Sequence, residues 1–396
     1  MMEMSKQSKP VIVIFDMNMT TGSPAGSCVL AEINGLVDYY QIVAVTGELH
    51  NDHPDQIQWL RVPLPRGPVL LRYLVFHALA PVVYAFWYLR GGRSDIIQAT
   101  QGQFPLADIT YAHFCHRAYL KNHWLDSTVS GPRRLARWLS HQFNAFFEAR
   151  AFARCRMLVV PSLGLAKELA KEYPHVKNKI EVIPNPVALS QFTCPADFNR
   201  QVQRAKLGFS DNELVLSFMA LGDFARKGLG LLIEALGKLE KNQHIEFKLL
   251  VIGGKPSEID MFKHYAAHQS VANHLVFVGL QMEVAPYLWA SDVFALPSSY
   301  EIFPLVILQA AASGLPVLVT HGLYGAEEMI VNGLNGWQVN RDVASITQWM
   351  KDLLNERENL PRMSILARES VFQYSNKAFS DRWQAVYQKL LMVGEN

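Results

Sequence analysis

Leu296-Pro297-Ser298-Ser299-Tyr300-Glu301-Ile302-Phe303-Pro304 leaves an apolar run, Val293–Leu296, and enters a helical pattern over Val306–Ala312 that stops at Ser313-Gly314. A short apolar run, a polar turn and a helix closed by glycine make the strand–turn–helix unit of a parallel sheet. Pro304 suits the first helical turn and Gly314 the position just past the helix end. The free backbone N–H groups near the stretch Phe303, Pro304, Leu305 and Val306, to which the proline adds none, then offer an anion site fit for a diphosphate. Glu301 stands beside it, ready to accept hydrogen bonds from sugar hydroxyls. A plain helix cap is the other reading of Glu301.

Working outward, the same unit recurs in both directions. Downstream of the middle, strands are expected at Leu214–Ala220, Phe247–Ile252, Leu275–Val278, Val293–Leu296 and Pro316–Thr320, with a helix at Leu229–Leu239. Upstream, strands are expected at Val11–Phe15, Gln41–Val45, Asp95–Ala99, Ile109–Ala112 and Met157–Val160. Lys179–Ile183 then leads into Pro184-Asn185-Pro186, which can continue neither element. Ala188–Asp211 is polar and reads as an irregular connection. Two alternating series in 396 residues predict two doubly wound α/β domains.

The totals narrow the function. A net charge of +2 argues against a nucleic-acid partner, which calls for a strongly basic balance. Cys28, Cys115, Cys155 and Cys194 form no CxxC pair, so neither a disulfide framework nor a zinc site is expected, and a reducing, cytoplasmic compartment fits. The polar residues Met1–Pro10 run straight into the first strand and lack a secretory apolar region. Val69–Leu89 is apolar enough to span a bilayer, but Arg72, His77 and Pro81 interrupt it. The expectation is a helix buried in the domain; the alternative is a helix against a membrane face. Gly131–Arg156 is basic with interleaved aromatics. A solvated helix face is expected there, and peripheral contact with anionic lipid is the alternative.

Further candidates follow strands. Gly222-Asp223-Phe224-Ala225-Arg226-Lys227-Gly228 comes off the first strand of the second series, where doubly wound sheets bind ligands. Arg226 and Lys227 would neutralise a leaving diphosphate, unless they are two solvated surface cations. His113, in His113-Phe114-Cys115-His116, follows a first-domain strand and could donate to a sugar hydroxyl or be a structural histidine. Gly22, in the turn after the first strand, would let backbone approach a substrate. GxGxxG is absent, so nicotinamide chemistry is not expected. Asp-x-Asp is absent too, so neither a metal nor any other cofactor is expected.

Together the motifs resemble the retaining GT-B glycosyltransferases of family four (glycosyl transferases group 1), and also the glucosyltransferases that build lipopolysaccharide cores. Val182-Ile183-Pro184-Asn185, Arg226-Lys227-Gly228, Val251-Ile252-Gly253, Phe277-Val278-Gly279, Asp292–Ser298, Glu301–Pro304, Ala311–Val317 and Asn332–Gly336 fall in the family's order. The resemblance implies two Rossmann-like domains facing across a cleft: residues 1–187 for the acceptor, 188–375 for the nucleotide sugar, and 376–396 crossing back to the first. It implies that Glu301 holds donor-sugar hydroxyls and that Arg226 and Lys227 hold the diphosphate. Gly253 with Gly279, Leu280 and Gln281 would line the nucleobase pocket, and His113 matches a histidine near the transferred sugar.

Two positions depart from the family pattern. Glu-x7-Glu reads Glu301-x7-Gln309, which keeps a donor and an acceptor for ribose hydroxyls but loses the charge. Pro-Asn-Gly reads Pro184-Asn185-Pro186. The expected activity is hexose transfer from a nucleotide sugar, UDP-sugar before GDP-mannose, to a glycan or lipid-linked acceptor, with retention. The competing readings are a nucleotide-sugar epimerase or hydrolase, and a non-catalytic family member kept open by Gln309.

Overall fold

The computed structural model describes residues 9–50, 53–124, 131–240, 243 and 246–393. Most of the polar start read from Met1–Pro10, residues 1–8, lies outside the described residues. The chain divides into two compact units, Met1–Pro186 with Asn376–Asn396, and Val187–Ser375.

The strands of the first unit are β1 (Val11–Phe15), β2 (Asn18–Met19), β3 (Gln41–Thr46), β4 (Glu48–Leu49), β5 (Ile57–Arg61), β6 (Ile96–Thr100), β7 (Ile109–Tyr111), β8 (Met157–Val160) and β9 (Ile180–Val182). Seven of them form one sheet in the order β5-β3-β1-β6-β7-β8-β9, while β2 and β4 form a small ladder. All pairs are parallel. The second unit carries β10 (Leu214–Ala220), β11 (Phe247–Gly253), β12 (Leu275–Gly279), β13 (Val293–Leu296), β14 (Val317–Thr320) and β15 (Gly336–Val339). They form a parallel sheet in the order β12-β11-β10-β13-β14-β15. Strands β1, β8, β10, β13 and β14 are buried at every position. Helices cover both sheet faces, which is why these strands read as unbroken apolar runs rather than alternating ones.

Each sheet therefore reverses direction once. In the first unit the chain builds β1, β3, β5 outward on one side and β6 through β9 on the other. In the second it builds β10, β11, β12 on one side and β13, β14, β15 on the other. Ligands of such sheets bind at the carboxyl ends of the strands beside that reversal.

The helix Asn376–Val393 packs on Pro24–Leu36 within the first unit. Their contact is closed by a buried polar cluster: Tyr387 Oη lies 2.5 Å from Glu32 Oε1 and 2.8 Å from Gln98 Oε1, and Gln98 Nε2 donates to the Glu32 carboxyl at 2.9 Å. Burial pushes the Glu32 carboxyl from 4.5 up to about 8.

Two expectations are corrected. Val69–Leu89 is a helix, but only Phe76 and Ala80 of it are buried. Hydrophobicity around the whole circumference does not say which side meets the core. Ala188–Asp211 is not irregular: it holds helices Leu189–Phe192 and Arg200–Lys206, and Phe192 and Phe209 reach the core of the second unit. Edge strands β5 and β15 lack an apolar run because Ile57–Arg61 is mostly exposed, Gly336–Val339 is mostly half-buried, and both mix polar with apolar residues.

Candidate functional site

In the second unit the reversal falls between β10 and β13, and the sequence candidates converge there. After β10 the backbone turns through Asp223, at φ 61°, into the short helix Phe224–Lys227. Gly228 follows at φ +86°, and a Cβ on it would lie 2.2 Å from the Pro297 carbonyl oxygen. Only glycine allows both that dihedral and that approach. The loop after β10 is thus pressed onto the loop after β13, and Ser299 N–H donates to Arg226 O at 3.0 Å.

The side chains complete the contact. Lys227 Nζ donates to Glu301 Oε1 in a tight ion pair, Arg226 reaches the same oxygen at 3.3 Å, and Ser298 Oγ donates to it at 3.0 Å. Arg226 Nε also donates to Asp223 Oδ2 at 2.7 Å. Burial lowers the Lys227 pKa, and Glu301 only partly offsets it. For Arg226 burial is outweighed by Glu301 and Asp223, which raise its pKa. These are not solvated surface cations. They are two desolvated cations at a strand's carboxyl end, where electrostatic attraction to an arriving phosphate is strongest.

The neighbouring strand ends frame the cations. Gly253 ends β11 at φ +97°, and a Cβ there would meet Ala220 O at 2.0 Å. Gly222 lies beside Glu258, whose carboxylate accepts the Phe224 N–H at 2.6 Å. Gly279 closes β12, and Leu280 after it is exposed. Gln281 is engaged internally: its amide donates to Val278 O at 2.6 Å and accepts from Tyr287 Oη at 3.0 Å. Any contact it makes with a ligand through its side chain requires release of those bonds.

On the β13 side, Pro304 stands just before the helix Leu305–Ala312 and not within its first turn, and no side chain caps that end. Leu305 and Val306 open the helix, half-buried. Phe303 is buried against Tyr374, with ring centroids 5.6 Å apart, so it fixes the loop and is no surface contact. Gln309 lies on the second turn, half-buried, and its carbonyl accepts from Ser313 Oγ at 2.9 Å.

In the first unit, His113 follows β7 with its ring 4.0 Å from that of Tyr111. Its Nε2 is buried with no partner among the described residues. Burial drops its pKa to about 3, so the ring is neutral and offers a hydrogen bond without charge. Gly22 lies exposed in the turn before Pro24–Leu36. Tyr111 Oη donates to Asn185 at 3.2 Å, which anchors the Pro-Asn-Pro segment.

Sequence reading missed the residues at this unit's own reversal, between β1 and β6. Asp16 follows β1, and burial raises it to about 6 although Thr100 and the Asn18 N–H pull it down. Gln101 follows β6 at φ 54° with Oε1 buried and unpartnered among the described residues, and Gln103 accepts the Met17 N–H at 2.7 Å. The available signal was a carboxylate directly after the first strand. Among the described residues no group of three or more His, Cys, Asp or Glu side chains converges as metal ligands.

Two family models match in tandem: Glycosyltransferase Family 4 over residues 26–191 and Glycosyl transferases group 1 over residues 199–370. Among curated relatives, the chain is 30% identical over 162 residues to the UDP-Gal:alpha-D-GlcNAc-diphosphoundecaprenol alpha-1,3-galactosyltransferase of Escherichia coli, covering 41% of each chain. It is 27% identical over 267 residues to an uncharacterised glycosyltransferase of Methanocaldococcus jannaschii, covering 66% of each. The chain thus spans roughly half the length of the curated relatives it matches. Its fold resembles that of WaaG, a glycosyltransferase involved in lipopolysaccharide biosynthesis, with a TM-score of 0.75 at 18% identity over 95% of this chain and 99% of that one. It also resembles Anabaena HepE, solved in complex with UDP-glucose, with a TM-score of 0.72 at 14% identity over 96% and 99%. The chain belongs to the group 1, family 4 glycosyltransferases and has their GT-B fold.

Proposed function

We propose that this protein transfers a hexose from a UDP-sugar to a hydroxyl of a glycan or lipid-linked acceptor, with retention of configuration. The observation that carries the reading is the convergence of Arg226, Lys227 and Glu301 at the sheet reversal of the second unit. A UDP-sugar donor is supported by the galactosyltransferase relative, whose name specifies one, and by HepE, which holds one. The relative's diphosphoundecaprenol substrate supports a lipid-linked acceptor. Four free cysteines support a cytoplasmic setting.

In this reading the diphosphate lies against Lys227, Arg226 and the N–H groups opening Leu305–Ala312, and Glu301 turns its carboxylate to the sugar hydroxyls. The bond from the anomeric carbon to the diphosphate oxygen breaks as the acceptor oxygen bonds that carbon from the same face. The acceptor's proton passes to the departing diphosphate. The two cations and the helix start stabilise the developing charge, so no metal is required. Gly222, Gly253, Gly279, Leu280 and Gln309 bind the nucleoside, and His113 donates to a sugar hydroxyl.

The test is melting of the purified protein with UDP, GDP and their sugar conjugates, without metal. Ligand at about 100 times its Kd adds roughly 2.7 kcal/mol of stability. Stabilisation by UDP compounds that Lys227→Ala or Arg226→Ala abolishes is expected. No shift with any nucleotide refutes donor binding, stabilisation without sugar transfer refutes catalysis, and an inverted anomer in the product refutes retention.

A further inference from the structure

The exposed side of helix Val69–Leu89 shows Leu71, Leu74, Ala78, Val82, Phe86 and Leu89. Their three- and four-residue spacing draws one apolar stripe about 27 Å long, at 1.5 Å per residue. Val82 is 61% and Leu89 83% exposed. Folded proteins seldom leave so long an apolar face to water without a use for it. The helix is nonetheless tied to its unit, because Phe76 and Ala80 pack beneath it on β1 and β3. It cannot leave that core to span a bilayer and can only lie along one.

Where the stripe ends, a cavity of about 680 Å³ opens, and Phe86 belongs to both. The charged groups lining it are Lys9, Arg61, Arg90 and Arg93, all cationic. Arg90 sits 3.8 Å over the Phe86 ring and Arg61 5.5 Å over Trp59. Arg93 is partly neutralised by Asp95 at 2.8 Å. Val11 and Gln41, which begin β1 and β3, form the cavity's floor. With Gln58, Trp59, Leu60 and Arg61 of β5 also lining it, the cavity lies at the β5 edge of the sheet, and neither Asp16 nor His113 lines it. The adjoining helix Gly131–Arg154 repeats the chemistry: Leu135, Trp138 and Phe146 are exposed among arginines, and its single acid, Glu148, is buried.

We propose that the first unit docks on an anionic phospholipid surface, with Val69–Leu89 lying in the headgroup layer and a lipid phosphate held by Lys9, Arg61, Arg90 and Arg93. An apolar stripe with cations clustered at its end, on a helix that contains no acid of its own, matches an anionic bilayer face in both hydrophobicity and charge. The site is independent of the sugar-transfer reading. It fixes orientation on a membrane and contributes no catalytic group.

Co-sedimentation of the full chain with phosphatidylglycerol-rich and pure phosphatidylcholine vesicles tests it. Binding is expected to the first alone and to weaken with salt. The pair Arg61→Gln/Arg90→Gln should weaken it about thirtyfold, at roughly fivefold per cation. Val82→Gln/Leu89→Gln should also release the protein, with stabilisation by UDP unchanged in both pairs. Equal binding to both vesicles, binding to neither, or unchanged binding in either pair overturns the proposal. If millimolar inorganic phosphate raises the melting point without vesicle binding, the cavity serves a soluble anion and the proposal falls. It falls equally if Val82→Gln/Leu89→Gln only breaks a dimer seen by sedimentation equilibrium.

Discussion

Replacing Glu32 by glutamine should stabilise the protein increasingly as pH rises. Tyr387 Oη approaches Glu32 Oε1 at 2.5 Å and Gln98 Oε1 at 2.8 Å. Two short oxygen–oxygen contacts need two protons, and a tyrosine hydroxyl has one. A protonated Glu32 supplies the second: its O–H donates to Tyr387, Tyr387 donates to Gln98, and Gln98 Nε2 donates to the other Glu32 oxygen. An amide at position 32 can rebuild that ring, with its N–H in place of the acid O–H. The Glu32 pKa rises from 4.5 to about 8 on folding. The folded state then holds a proton that the unfolded chain loses, so stability falls from pH 4.5 upward and levels off above pH 8. At 1.36 kcal/mol per pH unit the cost is about 3 kcal/mol at pH 7 and reaches about 5 kcal/mol above pH 8. For a unit of about 200 residues, 3 kcal/mol moves Tm by about 6–12 °C. Asp16 and Glu148, raised to about 6 and about 7, tilt the wild-type curve the same way. The informative quantity is therefore the Tm difference between Glu32→Gln and wild type from pH 5 to 8.5. It should begin near zero and grow. A pH-independent difference, or wild type gaining on the variant as pH rises, refutes a neutral Glu32.

Gly253→Ala should lower stability by about 1–3 kcal/mol, because a side chain must occupy a left-handed backbone and its Cβ falls 2.0 Å from Ala220 O; denaturant unfolding measures it. Gln309→Glu should tighten UDP binding about three- to tenfold, since a charged acceptor strengthens a hydrogen bond to a ribose hydroxyl, and calorimetric titration with UDP reads the change. His113→Ala should reduce sugar transfer while leaving UDP affinity within about twofold, as its neutral ring contributes one hydrogen bond and no charge; paired kinetics and titration separate the two.

The fold was legible because parallel strands covered on both faces carry their signal in composition. Val11–Phe15, Leu214–Ala220 and Val293–Leu296 stand at the positions their apolar runs imply. The cation pair was legible for a related reason, since Arg226 and Lys227 follow a strand whose carboxyl end topology brings to the reversal. What the pattern does not encode is how two loops meet. The ion pair to Glu301 depends on Gly228 lying under Pro297, a contact 69 residues apart along the chain that only the sheet order dictates. Asp16 and Gln101 stayed hidden because their significance is burial at the same kind of reversal, and single residues after a strand carry no periodicity.

Val69–Leu89 shows where reasoning from periodicity stops. A helix that is apolar all round satisfies equally a core, a bilayer and a protein–lipid boundary, because each removes side chains from water and composition records only that removal. The charges are what separate the three. A core helix has no reason to end in Arg90 and Arg93 beside Arg61, and a spanning helix tolerates Arg72 and His77 poorly. Both features suit a helix half-sunk on its own domain and half on anionic headgroups. In the structure Phe76 and Ala80 face β1 and β3, Arg72 pairs with Glu48 at 2.9 Å, and His77 bonds to the Gly102 carbonyl at 3.2 Å. Arg72 and His77 thus turn toward the protein, and the stripe of Leu71, Leu74, Ala78, Val82, Phe86 and Leu89 carries no polar group, with the half-exposed Tyr88 beside it. Such one-sided placement is required if the opposite side is to enter a lipid surface.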